Sequence, residues 1–361
     1  MEQQRNQLPR NIHCTSVSGS HVQGITLDTK HEYMYVSFTT ALVKVDLQGN
    51  IIGSVTGLIG HLGCIDFNDE DGRVYGSLEL KHDGVGKGIL KNIGAELAEE
   101  DSFYITRFDV DKINRIGMDA EKDGIMQAVY LPDVVKDYSD YLPNGDHHRY
   151  CCSGIDGTAI GPVPGAGKDS PSVLLVAYGI YGRTARKDND CQILLQYDWR
   201  KFDSVAQPLS QLCPHHSGMP CEKRYFVYTG NTTYGIQNLE YDAYTGDYFA
   251  AVYVGEKPQF PNYPLFVIDG SVPPEEKEIP GLDGEKGWML SLKKQGLHDP
   301  ASGIYGYSFP YGDTGLYSLG NGYYYISHHI HPDKLVWGTD AKLYRYEGKP
   351  EALFTLVEDA K

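Results

Sequence analysis

The stretch from His61 to Leu78 reads HLGCIDFNDEDGRVYGSL and contains two strand-like segments joined by a turn. The first segment is HLGCIDFN (61–68) and the second, RVYGSL, is rich in residues that favour strands. Between them, Asp71 and Gly72 supply the positive φ that a tight hairpin turn requires. This stretch predicts a β-hairpin.

The same pattern returns five times along the chain, which is the kind of internal repeat that decides a fold. The first strands of the copies are HVQGITLD (21–28), HLGCIDFN (61–68), GIDGTAIG (154–161), GIQNLEYD (235–242) and DTGLYSLG (313–320). A Tyr-, Val- or Phe-rich second strand and a third strand follow each of them. The fourth strands are expected near IIGSV, MQAVYL, RYFVYTG, EKEIP and ALFTLV. Four antiparallel strands per repeat are typical of a β-propeller.

We therefore predict an all-β, single-domain β-propeller over residues 21–361, with five blades of four antiparallel strands favoured over six or seven. Residues 1–20 form an N-terminal segment that we expect to close the last blade. Long insertions between strands fall near residues 81–103, 131–150, 200–224 and 283–312, where loops would build the rim of a funnel. A β-sandwich is the alternative, but the common register of the five first strands favours the propeller.

Charge and composition exclude several classes of partner. The 361 residues include 32 Lys and Arg against 48 Asp and Glu, a net charge of −16. Clustered cations bind phosphate backbones, so we expect no nucleic acid partner, and no anionic membrane surface for the same reason. The N-terminal sequence lacks the apolar segment of a signal peptide. We expect a cytoplasmic protein, or a secreted one if a leader was removed; the oligomeric state is left open.

Polar residues recur at the start of each first strand, which should run beside the central channel. The first positions are His21, His61, Gly154, Gly235 and Asp313, and the third positions are Gln23, Gly63, Asp156, Gln237 and Gly315. We expect this ring to face the channel mouth and hold a ligand, a cation or a chain of waters. The candidate substrate-binding residues are His21, Gln23, Arg183, Gln237 and Asn238.

Two kinds of catalysis fit these residues. Asp156 and Asp313 supply the two carboxylates of a glycoside hydrolase, one protonated and one ionised. A uronate lyase would instead use His61, His148 or Tyr150 to move a proton while Arg183 binds the acid. The segment DHHRYCCSGIDG (146–157) concentrates several of these groups beside Asp156. Asp66 and Glu240, at the sixth position of their repeats, are held in reserve.

No motif demands a cofactor, and a divalent cation is the one alternative. The sequence SHHIHPD (327–333) offers His329 and His331 as metal ligands with Asp333 two residues further on. Calcium bound by Asp156 or Asp313 is favoured over zinc, because carboxylate and carbonyl oxygens are its usual ligands.

The repeat layout resembles the TolB-like and NHL-like propellers, and its five copies are similar to the arabinanase- and invertase-type glycosidases and the tachylectins. This resemblance implies a carbohydrate site at the funnel mouth. We predict a carbohydrate-active enzyme, a glycoside hydrolase or uronate lyase, whose partner is a saccharide or another polar small molecule. The alternatives are a non-catalytic propeller that binds a saccharide or a protein, and a lactonase-like metal-dependent propeller.

Overall fold

The computed structural model describes residues 8–30, 32–333 and 336–358. Within these ranges the strands form five main sheets around a central channel, a five-bladed β-propeller. This arrangement confirms the all-β class and the five blades predicted from the repeats. None of the helices in the described ranges is long and apolar enough to cross a membrane.

The sheets of blades 1, 2 and 3 contain five, five and six strands in the described part of the chain. Blade 1 consists of β2 (Val22–Leu27), β3 (Tyr33–Phe38), β4 (Ala41–Asp46), β5 (Ile51–Thr56) and β9 (Met118–Asp119). Blade 2 consists of β6 (His61–Asn68), β7 (Arg73–Leu80), β8 (Ser102–Phe108), β10 (Met126–Tyr130) and β14 (Gln207–Pro208). Blade 3 consists of β11 (Cys152–Pro162), β12 (Ser172–Ile180), β13 (Cys191–Tyr197), β15 (Lys223–Tyr228), β20 (Lys286–Leu290) and β19 (Glu275–Glu278).

Blades 4 and 5 complete the ring, and the N-terminal strand joins its two ends. Blade 4 consists of β16 (Thr232–Asp242), β17 (Asp247–Val254) and β18 (Leu265–Ile268), with the separate hairpin β21 (Leu297–Asp299) and β22 (Ile304–Gly306) beside it. Blade 5 consists of β23 (Leu316–Ser318), β24 (Tyr323–Asp333), β25 (Val336–Lys349) and β26 (Ala352–Leu356). The N-terminal strand β1 (Asn11–Thr15) pairs antiparallel with β25. N-terminal and C-terminal strands therefore share one sheet, which links the two ends of the ring.

The prediction for the outer strand of blade 4 is wrong. The segment EKEIP contains β19, which pairs with β20, and β20 pairs in parallel with β15 of blade 3. Ile279, which follows β19, and Met289 of β20 pack in the hydrophobic cluster that contains Phe226 of blade 3. Burial of these apolar side chains explains why the segment joins the neighbouring sheet.

The predicted insertions contain the helices. Helix α1 (Gly84–Ile93) follows β7, and helix α2 (Pro132–Ser139) follows β10. Asp83 caps α1 because its side chain accepts a hydrogen bond from the N–H of Gly86, and Gly94 ends the helix in the left-handed conformation. Through α1, the first insertion brings Val85 to the mouth of the central channel.

Candidate functional site

A cavity of about 170 Å³ opens at the mouth of the central channel, and residues from blades 1 to 4 line it. We call it the mouth cavity. Its lining consists of Gln23, His61, Glu79, Lys81, Val85, Ser153, Ile155, Asp156, Gly179, Tyr234, Gln237 and Tyr253. Four of the candidate residues from the sequence therefore meet here: Gln23, His61, Asp156 and Gln237.

Bulges in the innermost strands direct polar side chains to the mouth. The pairing register shifts between Val22 and Gly24 in β2 and between Leu62 and Ile65 in β6. In β11 and β16, comparable shifts fall across Asp156 and Gln237. A bulge inserts an unpaired residue and re-aims its side chain. The third position of four repeats thus falls at an irregularity of the sheet, and the side chains of three of these residues line the cavity.

A buried ion pair forms one wall of the cavity. Lys81 Nζ lies 2.7 Å from Glu79 Oε2 and donates a hydrogen bond of 2.6 Å to the carbonyl oxygen of Ser153. Glu79 Oε1 accepts a hydrogen bond from the N–H of Ile155 at 2.7 Å. Burial alone would lower the pKa of Lys81, but the carboxylates of Glu79 and Asp83 outweigh it and raise that pKa. Lys81 is therefore charged, and Glu79 and the carbonyl oxygen of Ser153 bind its ammonium group.

Sequence reasoning missed this pair because it considered only the first strands of the repeats. The available signal was the run Leu78-Glu79-Leu80-Lys81, in which two charged residues alternate with leucines. Residues i and i+2 of a strand share a face. This run therefore places a carboxylate and an ammonium on the face opposite two buried apolar side chains.

Two polar atoms in the cavity wall have no hydrogen-bond partner within the described part of the chain: Nδ1 of His61 and Oδ1 of Asp156. His61 Nδ1 lies 3.6 Å from Glu79 Oε2, beyond hydrogen-bond distance. Burial and the charge of Lys81 lower the pKa of His61 to about 3, so the ring is neutral. Burial and the nearby Glu79 raise the pKa of Asp156 well above its usual range, which favours the protonated acid.

Gly63 leaves room for the Asp156 carboxyl. A Cβ atom added at Gly63 would overlap both Asp156 Oδ1 and the hydroxyl of Ser77. The glycine of this repeat thus allows the aspartate of the next blade to reach the channel, a relationship that only the closed ring creates.

Other candidate residues lie beside the cavity without lining it. Asn238 Nδ2 donates to the carbonyl oxygens of Gln23 and Asp313 at 2.9 and 2.8 Å, which ties together the innermost strands of three blades. Burial raises the pKa of Asp313. Burial raises the pKa of Tyr253, and the carboxylates of Asp313 and Asp156 raise it further.

His148, Tyr150 and Arg183 are outside the mouth cavity. The His148 ring stacks on His147 with centroids 3.8 Å apart, and its Nδ1 is hydrogen-bonded to the carbonyl oxygen of Tyr138. Tyr150 packs against Phe226 in the core of blade 3, and Arg183 is exposed beside Tyr181.

The backbone just before β11 is strained. His148, Tyr150 and Cys151 have φ values of 67°, 57° and 54°. Arg186 donates hydrogen bonds of 2.9 Å to the carbonyl oxygens of both His147 and His148, which holds this conformation in place. Such strain persists only where the surroundings fix it, and it is concentrated at functional sites. This segment positions the strand that contains Ser153, Ile155 and Asp156.

His329 and His331 lie at the rim, where their rings are 6.4 Å apart. Among the residues that the structure describes, no three His, Cys, Asp or Glu side chains are grouped so that they could hold a metal ion. The side chain of Asp333 lies outside the described residues. Metal binding by this pair stays a prediction.

Asp66 and Glu240 are buried on β6 and β16. Asp66 Oδ2 accepts a hydrogen bond from the N–H of Ile160 at 2.7 Å, and Glu240 Oε1 accepts one from the N–H of Ser318 at 2.6 Å. Each carboxyl group therefore joins its own blade to the next. Their contacts indicate a role in holding the ring together.

Comparisons with known proteins identify no family. No protein-family model matches the chain, and no curated protein matches it significantly. The crystal structure of a functionally unknown protein from Desulfotomaculum acetoxidans DSM 771 aligns with 93% of this chain and 69% of its own length. The identity is 10% and the TM-score 0.35. A similarity this distant carries no argument, so function has to be argued from the site.

Proposed function

We propose that the mouth cavity binds a small neutral polar ligand and that this ligand is a saccharide unit. The observation that carries the proposal is the pair of unpartnered atoms, His61 Nδ1 and Asp156 Oδ1, in the wall of one cavity. A buried polar atom without a partner costs about 1–3 kcal/mol. Native proteins pair nearly all such atoms, so two in one cavity favour a missing partner.

A hydroxyl-bearing ligand would satisfy both atoms once the lining side chains shift to expose them, because each atom has less than 1 Å² of accessible surface. The neutral His61 ring offers Nδ1 as an acceptor if its proton is on Nε2, and a protonated Asp156 offers a donor. A sugar hydroxyl can donate to the first and accept from the second. The amide groups of Gln23 and Gln237 and the ring of Tyr253 complete a lining suited to several hydroxyls.

The charges around the cavity favour a neutral ligand over a uronate. Lys81 is the one cation among the described lining residues, and Glu79, Asp83 and the Ser153 carbonyl surround its ammonium group. A ligand carboxylate would therefore meet no uncommitted positive charge, and it would lie close to Glu79. This argument supports a neutral saccharide and weakens the lyase hypothesis.

Calorimetric titration tests the proposal. The probes are glucose, galactose, xylose and arabinose, with glucuronate and galacturonate as anionic comparisons. We expect at least one neutral sugar to bind, and we expect Asp156→Ala or His61→Ala to weaken it at least tenfold, the loss of about 1.4 kcal/mol. His215→Ala is the matched control, because both ring nitrogens of His215 lack a partner among the described residues although it does not line the mouth cavity.

Two results would contradict this function. Equal affinity of all three variants for the sugar would move the site away from the mouth cavity. Failure of every neutral sugar to bind, or a clear preference for the uronates, would show that the ligand belongs to another chemical class.

A second candidate is glycoside hydrolysis, which the raised pKa of Asp156 favours. A protonated carboxyl group can donate its proton to a leaving oxygen, while Glu79, adjacent to Lys81, or Asp313 supplies the ionised carboxylate. Nitrophenyl glycosides of the bound sugar test this step. Asp156→Asn should reduce the turnover about 10²–10⁴-fold. Binding without turnover in the wild-type protein would leave a saccharide-binding propeller.

A further inference from the structure

Four aromatic rings lie together at the rim of the channel mouth. Trp337 stacks on His331 and His329, with centroids 3.9 and 5.0 Å away and interplanar angles of 20° and 22°. His21 approaches His329 edge-on at 4.5 Å. We call these four side chains the rim platform. His329 and His331 are exposed, and Trp337 is half-buried.

The platform is continuous with the mouth cavity. Nδ1 of His21 lies 3.5 Å from Nε2 of Gln23, and Gln23 lines the cavity. His21 also lowers the pKa of His61, although burial and Lys81 have larger effects. A ligand extending out of the cavity past Gln23 would therefore reach these rings.

The rings are suited to an uncharged ligand. Burial and the neighbouring His329 lower the pKa of His21 to about 4, and burial and His331 lower that of His329. The imidazoles of His21 and His329 and the indole of Trp337 present flat faces with a polar edge, the combination that packs on a ring-shaped ligand while hydrogen-bonding its substituents.

A row of hydroxyl groups runs beside the platform. Ser16, Ser18 and Ser20 are linked through their side-chain oxygens, with Ser18 Oγ and Ser20 Oγ 2.7 Å apart. The N–H of Ser16 donates to the carbonyl oxygen of Trp337 at 2.7 Å, which fixes this row next to the indole. Half-buried hydroxyls and exposed rings therefore lie along the same edge of the mouth.

We infer that the rim platform is a second binding position, which takes the next ring of a neutral oligosaccharide whose first ring occupies the mouth cavity. This inference rests on the proposed function and extends it to ligands of at least two sugar units. The cavity itself is too small for both rings, whereas the platform is open at its outer side. Trp337 and His331 are the residues that would contact the second ring.

Comparison of mono- and disaccharides tests the inference. For each neutral sugar that binds, we would titrate the matching pair, such as glucose with cellobiose or maltose, xylose with xylobiose, and arabinose with arabinobiose. We expect the disaccharide to bind about five- to tenfold more tightly, the gain of one aromatic stacking contact. Tryptophan fluorescence should change with the disaccharide, since Trp337 is one of three tryptophans in the chain.

The variants are Trp337→Ala and His331→Ala, and the second is at an exposed position that tolerates truncation. Either change should bring the ratio of disaccharide to monosaccharide affinity to within about twofold of one. Trp288→Ala is the matched control, because this tryptophan is 40% exposed on blade 3, remote from the mouth. It should leave the ratio unchanged.

The outcomes separate the inference from the proposed function. A disaccharide advantage that survives both platform variants, or no advantage in the wild-type protein while the monosaccharide still binds, would overturn the inference alone. If no neutral sugar binds at all, the proposed function fails and the inference fails with it.

Discussion

Nζ of Lys81 lies 2.7 Å from Oε2 of Glu79, and both side chains are 4% exposed. The same ammonium group donates to Ser153 of the next blade, while Glu79 accepts from Ile155. The pair therefore joins blade 2 to blade 3 at the channel mouth. It also gives the mouth cavity two charges that cancel, so that the wall is polar without attracting ions.

Removal of one partner of this pair should be costly. We expect Lys81→Met to destabilise the fold by about 3–5 kcal/mol, because Glu79 would remain buried without its counter-charge. Urea denaturation measures the change. Lys112→Met breaks the exposed pair with Asp109 and should cost little. If Lys81→Met were no more destabilising than Lys112→Met, the pair would not hold the blades together.

Stability should fall as the pH rises through the range in which Asp66 ionises. Burial raises the pKa of Asp66 to about 7 in the folded protein, against about 3.9 for an aspartate in an unfolded chain. Between these values the unfolded chain loses a proton that the native state retains. The free energy of unfolding therefore decreases from about pH 4 to pH 7, by up to about 1.4 kcal/mol per pH unit from this group.

Asp66→Asn should reduce that slope, because the amide cannot ionise while its oxygen can still accept from the N–H of Ile160. Burial and the negative charge of Asp66 raise the pKa of Glu240 well above its usual range, so Glu240 will contribute a remaining slope of the same sign. Urea denaturation at several pH values gives the comparison, with the exposed Asp283→Asn as control. Equal slopes for wild type and Asp66→Asn would contradict this assignment.

Gly154 should not tolerate a side chain. Its φ is +128°, and a Cβ there would overlap Glu79 Oε1. We expect Gly154→Ala to lower the stability by about 2 kcal/mol or more, from backbone strain and the displaced carboxylate together. Gly167→Ala is the control, since its φ is +87° but nothing lies within 4 Å of the new Cβ. Equal melting temperatures for the two variants would show that the overlap is relieved without cost.

The N-terminal strand should contribute strongly to the stability of the ring. Ile12 on β1 is fully buried in the core between blades 5 and 1. We expect Ile12→Ala to cost about 2–5 kcal/mol. Truncation of its exposed neighbour His13, which pairs with Asp340 at the surface, should lower the stability only slightly. A small effect of Ile12→Ala on thermal unfolding would mean that the ring is stable without its closing strand.

The sequence predicted the ring of polar positions but not their environment. Gln23, His61, Asp156 and Gln237 could be identified because they hold equivalent positions in aligned repeats, and equivalent positions of a propeller face the same channel. Glu79 and Lys81 escaped notice because they belong to second strands, whose position relative to the channel depends on the twist of each blade. His148 and Tyr150 are close to Asp156 in sequence, yet they do not line the mouth cavity.

The sequence by itself determined what is periodic: strands of alternating pattern, turns with glycine, and five copies whose first strands share a register. These features are local, because they depend on backbone conformation and on which face of a strand is apolar. The tertiary structure decided everything that depends on closure of the ring. It assigned EKEIP to blade 3 and brought the oxygen of Asp156 against Gly63, more than 90 positions away in the chain. It also brought the ammonium group of Lys81 into contact with the carbonyl oxygen of Ser153. Such contacts join residues from different repeats, so they follow from packing rather than from pattern.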